Sequence, residues 1–208
     1  MTTIDWTAIR ADFPLLTREV HGKPLVYLDS ANTAQKPAAV IEAVDDFYRR
    51  HNANVSRAVH ALGTEATEAY EGARRKLAGF LNVHADDLVL CSGTTFAINL
   101  VAYSFALPKL KAGEVILVSR MEHHANIVPW QLIAERCGAR VEPVEISQSG
   151  EIDLDALDRQ LTRGARLLAL THVSNVLGTI NPVREICARA RRNGVFTVID
   201  GSQAVPHQ

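Results

Sequence analysis

The sequence has no surplus of positive charge: 22 Lys and Arg stand against 23 Asp and Glu, a formal net charge of −1 over 208 residues. The electrostatic footprint of a nucleic-acid or anionic-membrane partner is missing, and neither is expected. No apolar run approaches the ~20 residues that a membrane-spanning helix needs. The opening stretch MTTIDWTAIR lacks the basic-then-apolar layout of a secretion signal, so a cytoplasmic location is expected. Cysteine is scarce. Cys91, Cys137 and Cys187 are odd in number and form no CxxC pair, which argues against a disulfide framework and against a zinc site. Each lies among apolar neighbours and is expected to be reduced and buried as a small hydrophobe. The patterns GxGxxG, HExxH and GxSxG are absent, as is the P-loop pattern GxxxxGK followed by Ser or Thr. These absences remove dinucleotide and P-loop nucleotide binding, a helical zinc-protease site and a serine-hydrolase elbow. There is no internal repeat, low-complexity tract or Pro/Gly/Ser linker.

What is present is an ordinary globular balance, 47% hydrophobic and 22% charged, enough to bury one good core. From residue 87 onward, short apolar runs alternate with helical stretches. The runs are DLVLC (87–91), EVILVS (114–119), VEPVEI (141–146), RLLALTHV (166–173) and FTVID (196–200). Runs such as VILV and LLAL are apolar throughout, as expected of parallel strands covered on both faces. The fold class is therefore α/β, a mostly parallel sheet flanked by helices. Upstream, PAAVIEAVDDFYRR places Val40, Ile41, Val44, Phe47 and Tyr48 on one helical face, with Pro37 suited to the first turn. A loop, HNANVSRAVHALG, leads to a second helix from residue 64, with Thr64 as the expected N-cap. Residues 1–30 lack the βαβ rhythm and read as an N-terminal arm, leaving 31–208 as the main domain.

Four polar clusters fall where strands of this rhythm end. In CSGTTFAIN, the amides of Gly93, Thr94 and Thr95 open a helix and two hydroxyls lie beside them. That is either a phosphate cup or a helix start with no ligand. In MEHHAN, the adjacent His123 and His124 diverge by about 100° if helical, so at most one faces a site and a shared metal is not expected. In THVSNVLG, Asn175 can donate and accept in a crevice or hold the turn before Gly178. In IDGSQAVPH, Asp200 follows an apolar strand, where a carboxylate is costly unless a cation or several donors meet it. Its plainer role is to accept hydrogen bonds from the following turn. Taken singly none decides; together they fit one ligand at the carboxyl ends of the strands, a phosphorylated heteroaromatic ring with a basic nitrogen.

Across essentially its whole length the chain resembles the N-terminal half of a SUF-type cysteine desulfurase, a pyridoxal 5'-phosphate-dependent member of the class V aminotransferase family. The resemblance runs through RADFPLL, YLDSANTAQKP, GTTFAINLVA, MEHHANIVPWQ, THVSNVLGTINP and IDGSQAVPH. It implies that Thr94 and Thr95 hold the cofactor phosphate and that His123 stacks on the pyridine ring. It further implies that Asn175 and Gln203 approach the ring oxygen and that Asp200 pairs with the pyridinium nitrogen. His123 and Asp200 are thus the implied catalytic residues. The implied fold is the large domain of a fold type I pyridoxal-phosphate enzyme, C-terminally incomplete, with the arm on the small-domain side.

The implied reaction converts L-cysteine to L-alanine and passes sulfur on as an enzyme persulfide, to an acceptor protein of iron-sulfur cluster assembly. A homodimer is implied for the full-length form. The family's Schiff-base lysine, in a later Gly-His-Lys stretch, and its persulfide cysteine have no counterpart among Lys23, Lys36, Lys76, Lys109, Lys111 or the three cysteines. The chain alone is therefore expected to be an inactive fragment. It departs from the family pattern at Asn32, Ser56, Ala58, Ser92 and Phe96. Selenocysteine lyase, kynureninase-like and epimerase-like enzymes share the ring-binding set, and a short noncatalytic product that binds the cofactor or pairs with a full-length desulfurase is the rival of another class.

Overall fold

The computed structural model describes residues 4–56 and 59–207; the Ala58 departure lies outside them. Contacts group the chain into two units, Met1–Leu90 and Cys91–Gln208.

The first unit begins with α1 (Trp6–Ala11), whose N-terminal amides at Thr7 and Ala8 are capped by Asp5. Two short antiparallel strands follow, β1 (Glu19–Val20) and β2 (Lys23–Pro24). Between them His21 and Gly22 both take positive φ, 55° and 71°, as a two-residue hairpin turn of the primed type requires. Then come α2 (Ala38–Asp46), which runs on as a π-helical turn through His51, and α3 (Ala61–Leu81). Pro37 is the N-cap of α2 in extended conformation, one position ahead of the first turn where it was expected. The apolar face of α2 is present, yet Val40, Ile41 and Val44 are 45%, 50% and 53% exposed.

The expected cap at Thr64 is corrected. The helix starts three residues earlier, because the His60 imidazole accepts from the Gly63 amide and takes over the capping role. At the other end Asn82, left-handed at φ 54°, closes the helix. Two of the departures have local roles here: the Ser56 amide donates to Thr67 Oγ1 at 3.0 Å, and Asn32 Nδ2 donates to Asp29 Oδ2 at 3.4 Å.

The segment DLVLC is also a correction. After a 3-10 turn at Ala85–Asp87 it forms no strand among the described residues. An apolar run becomes a strand only where an edge offers ladder hydrogen bonds, and none of the six strands pairs with it. Cys91, at its end, is accordingly exposed, and Cys137 and Cys187 are only half-buried, so the expectation of three buried cysteines does not hold; all three are free thiols.

The second unit carries the sheet. α4 (Thr94–Val101) is followed by β3 (Val115–Ser119), α5 (Val128–Cys137), β4 (Arg140–Val144), α6 (Leu154–Leu161), β5 (Ala165–Thr171), α7 (Val183–Arg192) and β6 (Phe196–Asp200). The four strands are parallel in the order β4-β3-β5-β6. Side chains alternate across the sheet, and each face has its own core. Ile116, Val118, Leu167 and Ala169 pack with Ile98 of α4 and with Trp130 and Ile133 of α5. Val115, Leu117, Leu168 and Leu170 pack with Leu157 and Leu161 of α6 and Ile186 and Ala190 of α7. The chain thus leaves β3 toward β4 over one face and returns through β5 to β6 over the other. The order reverses between β3 and β5, which is where an open α/β sheet forms a crevice at its carboxyl ends.

Helix α6 depends on its first turn. Asp153 Oδ1 accepts from the amides of Asp155 and Ala156 at 3.0 and 2.9 Å, fixing the helix that buries Leu157 and Leu161. Replacing Asp153 with alanine is expected to cost about 1 kcal/mol in urea denaturation, while D153N, which keeps the acceptor, stays close to wild type. Equal stability of D153A and wild type would show that the cap contributes nothing.

Candidate functional site

The carboxyl ends of β3, β5 and β6 and the start of α4 bring most of the expected residues to one edge of the sheet. Asp200 ends β6 and is 8% exposed. Its Oδ1 accepts from the Ser202 amide at 2.9 Å and from the Ser202 hydroxyl, so the turn does supply the donors that a buried carboxylate needs. The Ser202 hydroxyl also lies 2.8 Å from Thr94 Oγ1. Since its proton is directed to Asp200, it accepts from Thr94, and a hydroxyl chain runs from the first turn of α4 to the carboxylate.

The turn before α4 is open. Gly93 precedes the helix at φ 147° and ψ 175°, with no side chain capping the amides. A Cβ built at Gly93 would meet nothing within 4 Å, so the backbone there can be closely approached. The φ value favours glycine. Thr94 and Thr95, both exposed, occupy the first two helical positions, where amides have no intrahelical acceptor and the helix end is positive. Ser92 and Phe96 flank this turn; Phe96 is 52% exposed.

His123 stands after β3 as the cap of a 3-10 turn, its Nδ1 accepting from the Ala125 amide at 3.1 Å. That bond leaves Nε2 as the protonated nitrogen of the neutral ring. The ring is exposed and meets His124 edge-on, centroids 6.1 Å apart and planes at 81°. The two imidazoles therefore diverge, and no cluster of three metal-ligating side chains exists among the described residues. Asn175 is exposed on a turn at residues 175–177; no hydrogen bond joins it to Thr94, His123 or Asp200. Gln203 is half-buried in the turn after Asp200. A cavity of ≈ 650 Å³ lies to one side, lined by His172, Asn181 and the first turns of α7; it adjoins this edge without containing Thr94, His123 or Asp200.

Sequence reasoning missed the group beneath these residues. Glu122, 9% exposed, accepts from Asn126 Nδ2 at 2.7 Å, from the Thr171 amide at 2.8 Å and from the Ser119 hydroxyl. Burial drives its carboxyl above the ordinary glutamate range; the three donors pull the other way, and the negative charge of Asp200 adds to the rise. Its signal was available: Glu122, Asn126 and Trp130 recur at intervals of four, three hydrogen-bonding side chains along the stretch that leads into α5.

The family model described as aminotransferase class-V matches residues 26–208. A probable cysteine desulfurase of Xylella fastidiosa (strain Temecula1) is 69% identical over 207 residues, covering 100% of this chain and 50% of that protein. Among solved structures, the apo cysteine desulfurase of Thermococcus onnurineus NA1 superposes with a TM-score of 0.91 at 33% identity, over 100% of this chain and 50% of that one. The Escherichia coli cysteine desulfurase CsdA, in its S-sulfonic acid form, superposes at 0.85 with 37% identity, over 99% and 51%. The chain spans about half the length of the curated relatives it matches.

Proposed function

The chain belongs to the aminotransferase class-V family, and from that premise we propose that the complete protein carrying it is a pyridoxal 5'-phosphate-dependent cysteine desulfurase. The observation that carries this reading is the hydroxyl chain from Thr94 through Ser202 to Asp200. It joins an open, uncapped helix start to a buried carboxylate, which are the two poles that a phosphorylated pyridine presents. Thr94 and Thr95 would hold the phosphate through hydroxyls and first-turn amides. Asp200 would hold a proton on the ring nitrogen, a charge pairing that favours the protonated form. His123 would lie on the ring, with Asn175 and Gln203 toward the ring oxygen. Bound there, the cofactor supplies an electron sink for charge developing at the substrate Cα.

In this reading residues 1–30 form an arm and 31–208 most of a cofactor-binding large domain. L-cysteine is the substrate, and sulfur passes to an acceptor protein of iron-sulfur cluster assembly. The enzyme works as a homodimer in the cytoplasm. Among the described residues no helix is long and apolar enough to cross a membrane.

The test is to purify the complete protein, load it with pyridoxal phosphate, and follow L-alanine and sulfide formation from L-cysteine, with dithiothreitol present to reduce the enzyme persulfide and release its sulfur as sulfide. Equimolar alanine and reduced sulfur are expected. Turnover of selenocysteine or kynurenine with none of cysteine would move the assignment to another member of the family.

A further inference from the structure

One side chain crosses the gap where the strand order reverses. Glu122, three residues beyond β3, reaches the Thr171 amide at the end of β5 with Oε1 and keeps contact with Ser119 at the end of its own strand. Its other oxygen, Oε2, accepts from Asn126 Nδ2. The Asn126 amide cannot turn over, because its Oδ1 already accepts from the Trp130 indole N–H at 2.9 Å, a group that only donates. A backbone N–H likewise only donates. Both carboxyl oxygens therefore face donors of fixed direction, and only the Ser119 hydroxyl is free to change role. Glutamine has the same shape but the wrong pattern: in either orientation its NH2 would oppose the Thr171 N–H or the Asn126 NH2.

The far end of this bridge is equally well held. The Thr171 carbonyl accepts from Asn181 Nδ2 at 2.9 Å, Thr171 Oγ1 lies 3.5 Å from the Asp200 carbonyl, and the His172 amide donates to that same carbonyl at 2.8 Å. His123 follows Glu122 directly in the chain, and Asp200 ends the strand beside β5. We propose that Glu122 is a positioning residue: by bridging β3 to β5 it fixes where His123 and Asp200 stand relative to one another across the crevice. The inference rests on the reading of this crevice as a pyridoxal phosphate site. Groups behind a site's contact residues act in this way by restricting their placement to the productive geometry.

The experiment compares wild type, E122Q and S119A in the complete protein, measuring the dissociation constant of pyridoxal phosphate and the visible circular dichroism of the bound cofactor. E122Q is expected to keep its far-ultraviolet spectrum, to bind roughly tenfold more weakly, and to lose much of the visible signal, which reports how the ring is held. S119A, which removes only the adjustable donor, is expected to shift both in the same direction by less. Should E122Q fail to fold, S119A decides alone. A role confined to stability would lower the melting temperature and leave the cofactor's spectrum and affinity at wild-type values, and that result overturns the proposal. If wild type itself takes up no cofactor, the function proposed above fails and this inference fails with it; wild-type uptake with unaltered variants removes this inference only.

Discussion

Replacing Asp200 with asparagine is expected to lower turnover of the complete enzyme by about a hundredfold while leaving its fold intact. The fold survives because asparagine keeps an oxygen where Asp200 Oδ1 accepts from the Ser202 amide and hydroxyl. Thr94 therefore keeps its link to Ser202. What is lost is the negative charge. An opposite charge at contact moves a titration by roughly one to three pH units; if Asp200 pairs with the ring nitrogen as proposed, the middle of that range corresponds to about a hundredfold less of the protonated ring that would serve as the electron sink. The measurement is kcat for L-cysteine, together with the cofactor's dissociation constant. A D200N enzyme with wild-type kcat would remove Asp200 from the chemistry and leave it the plainer task of holding the turn. A fall in affinity with no change in kcat would instead assign the carboxylate to binding.

Truncating Trp130 to alanine is expected to destabilise the protein by about 3–5 kcal/mol, the range for large aromatic side chains in a packed core. The residue is fully buried between α5 and the sheet. Its indole N–H is also the donor that fixes Asn126, and Asn126 in turn fixes Glu122. W130A therefore opens a cavity and leaves the Asn126 oxygen without a partner. W130F separates the two effects: it keeps most of the volume and should cost only about 1–3 kcal/mol, the penalty for a buried acceptor left unsatisfied. Urea denaturation of the complete protein measures both. If W130A fell within about 1 kcal/mol of wild type, the site would have to collapse around the missing ring, and the packing described above would not be holding it.

The apolar runs VILV and LLAL were legible as buried parallel strands because a strand covered on both faces has no polar side to alternate with. The same reading misplaced DLVLC, equally apolar, because nothing in a run of five residues states whether a neighbouring edge exists to pair with it. His123 and Asp200 could be located beyond strand ends from the βαβ rhythm alone, whereas the run read as a strand ahead of Thr94 and Thr95 is none. Asn175 was located on its turn, but the turn's exposure was not legible.

By itself, then, the sequence determined the class of fold, the order of its elements and the residue types offered at the carboxyl edge of the sheet, since these follow from local periodicity and from charge placed against apolar runs. Only the tertiary structure decided that Ser202 connects Thr94 to Asp200 and that Glu122 spans from β3 to β5. Those bonds join residues 108 and 49 positions apart. The physical reason is that a hydrogen bond between distant residues is specified by strand order and register, which depend on how two faces of a sheet are covered at once and leave no periodic mark in the chain.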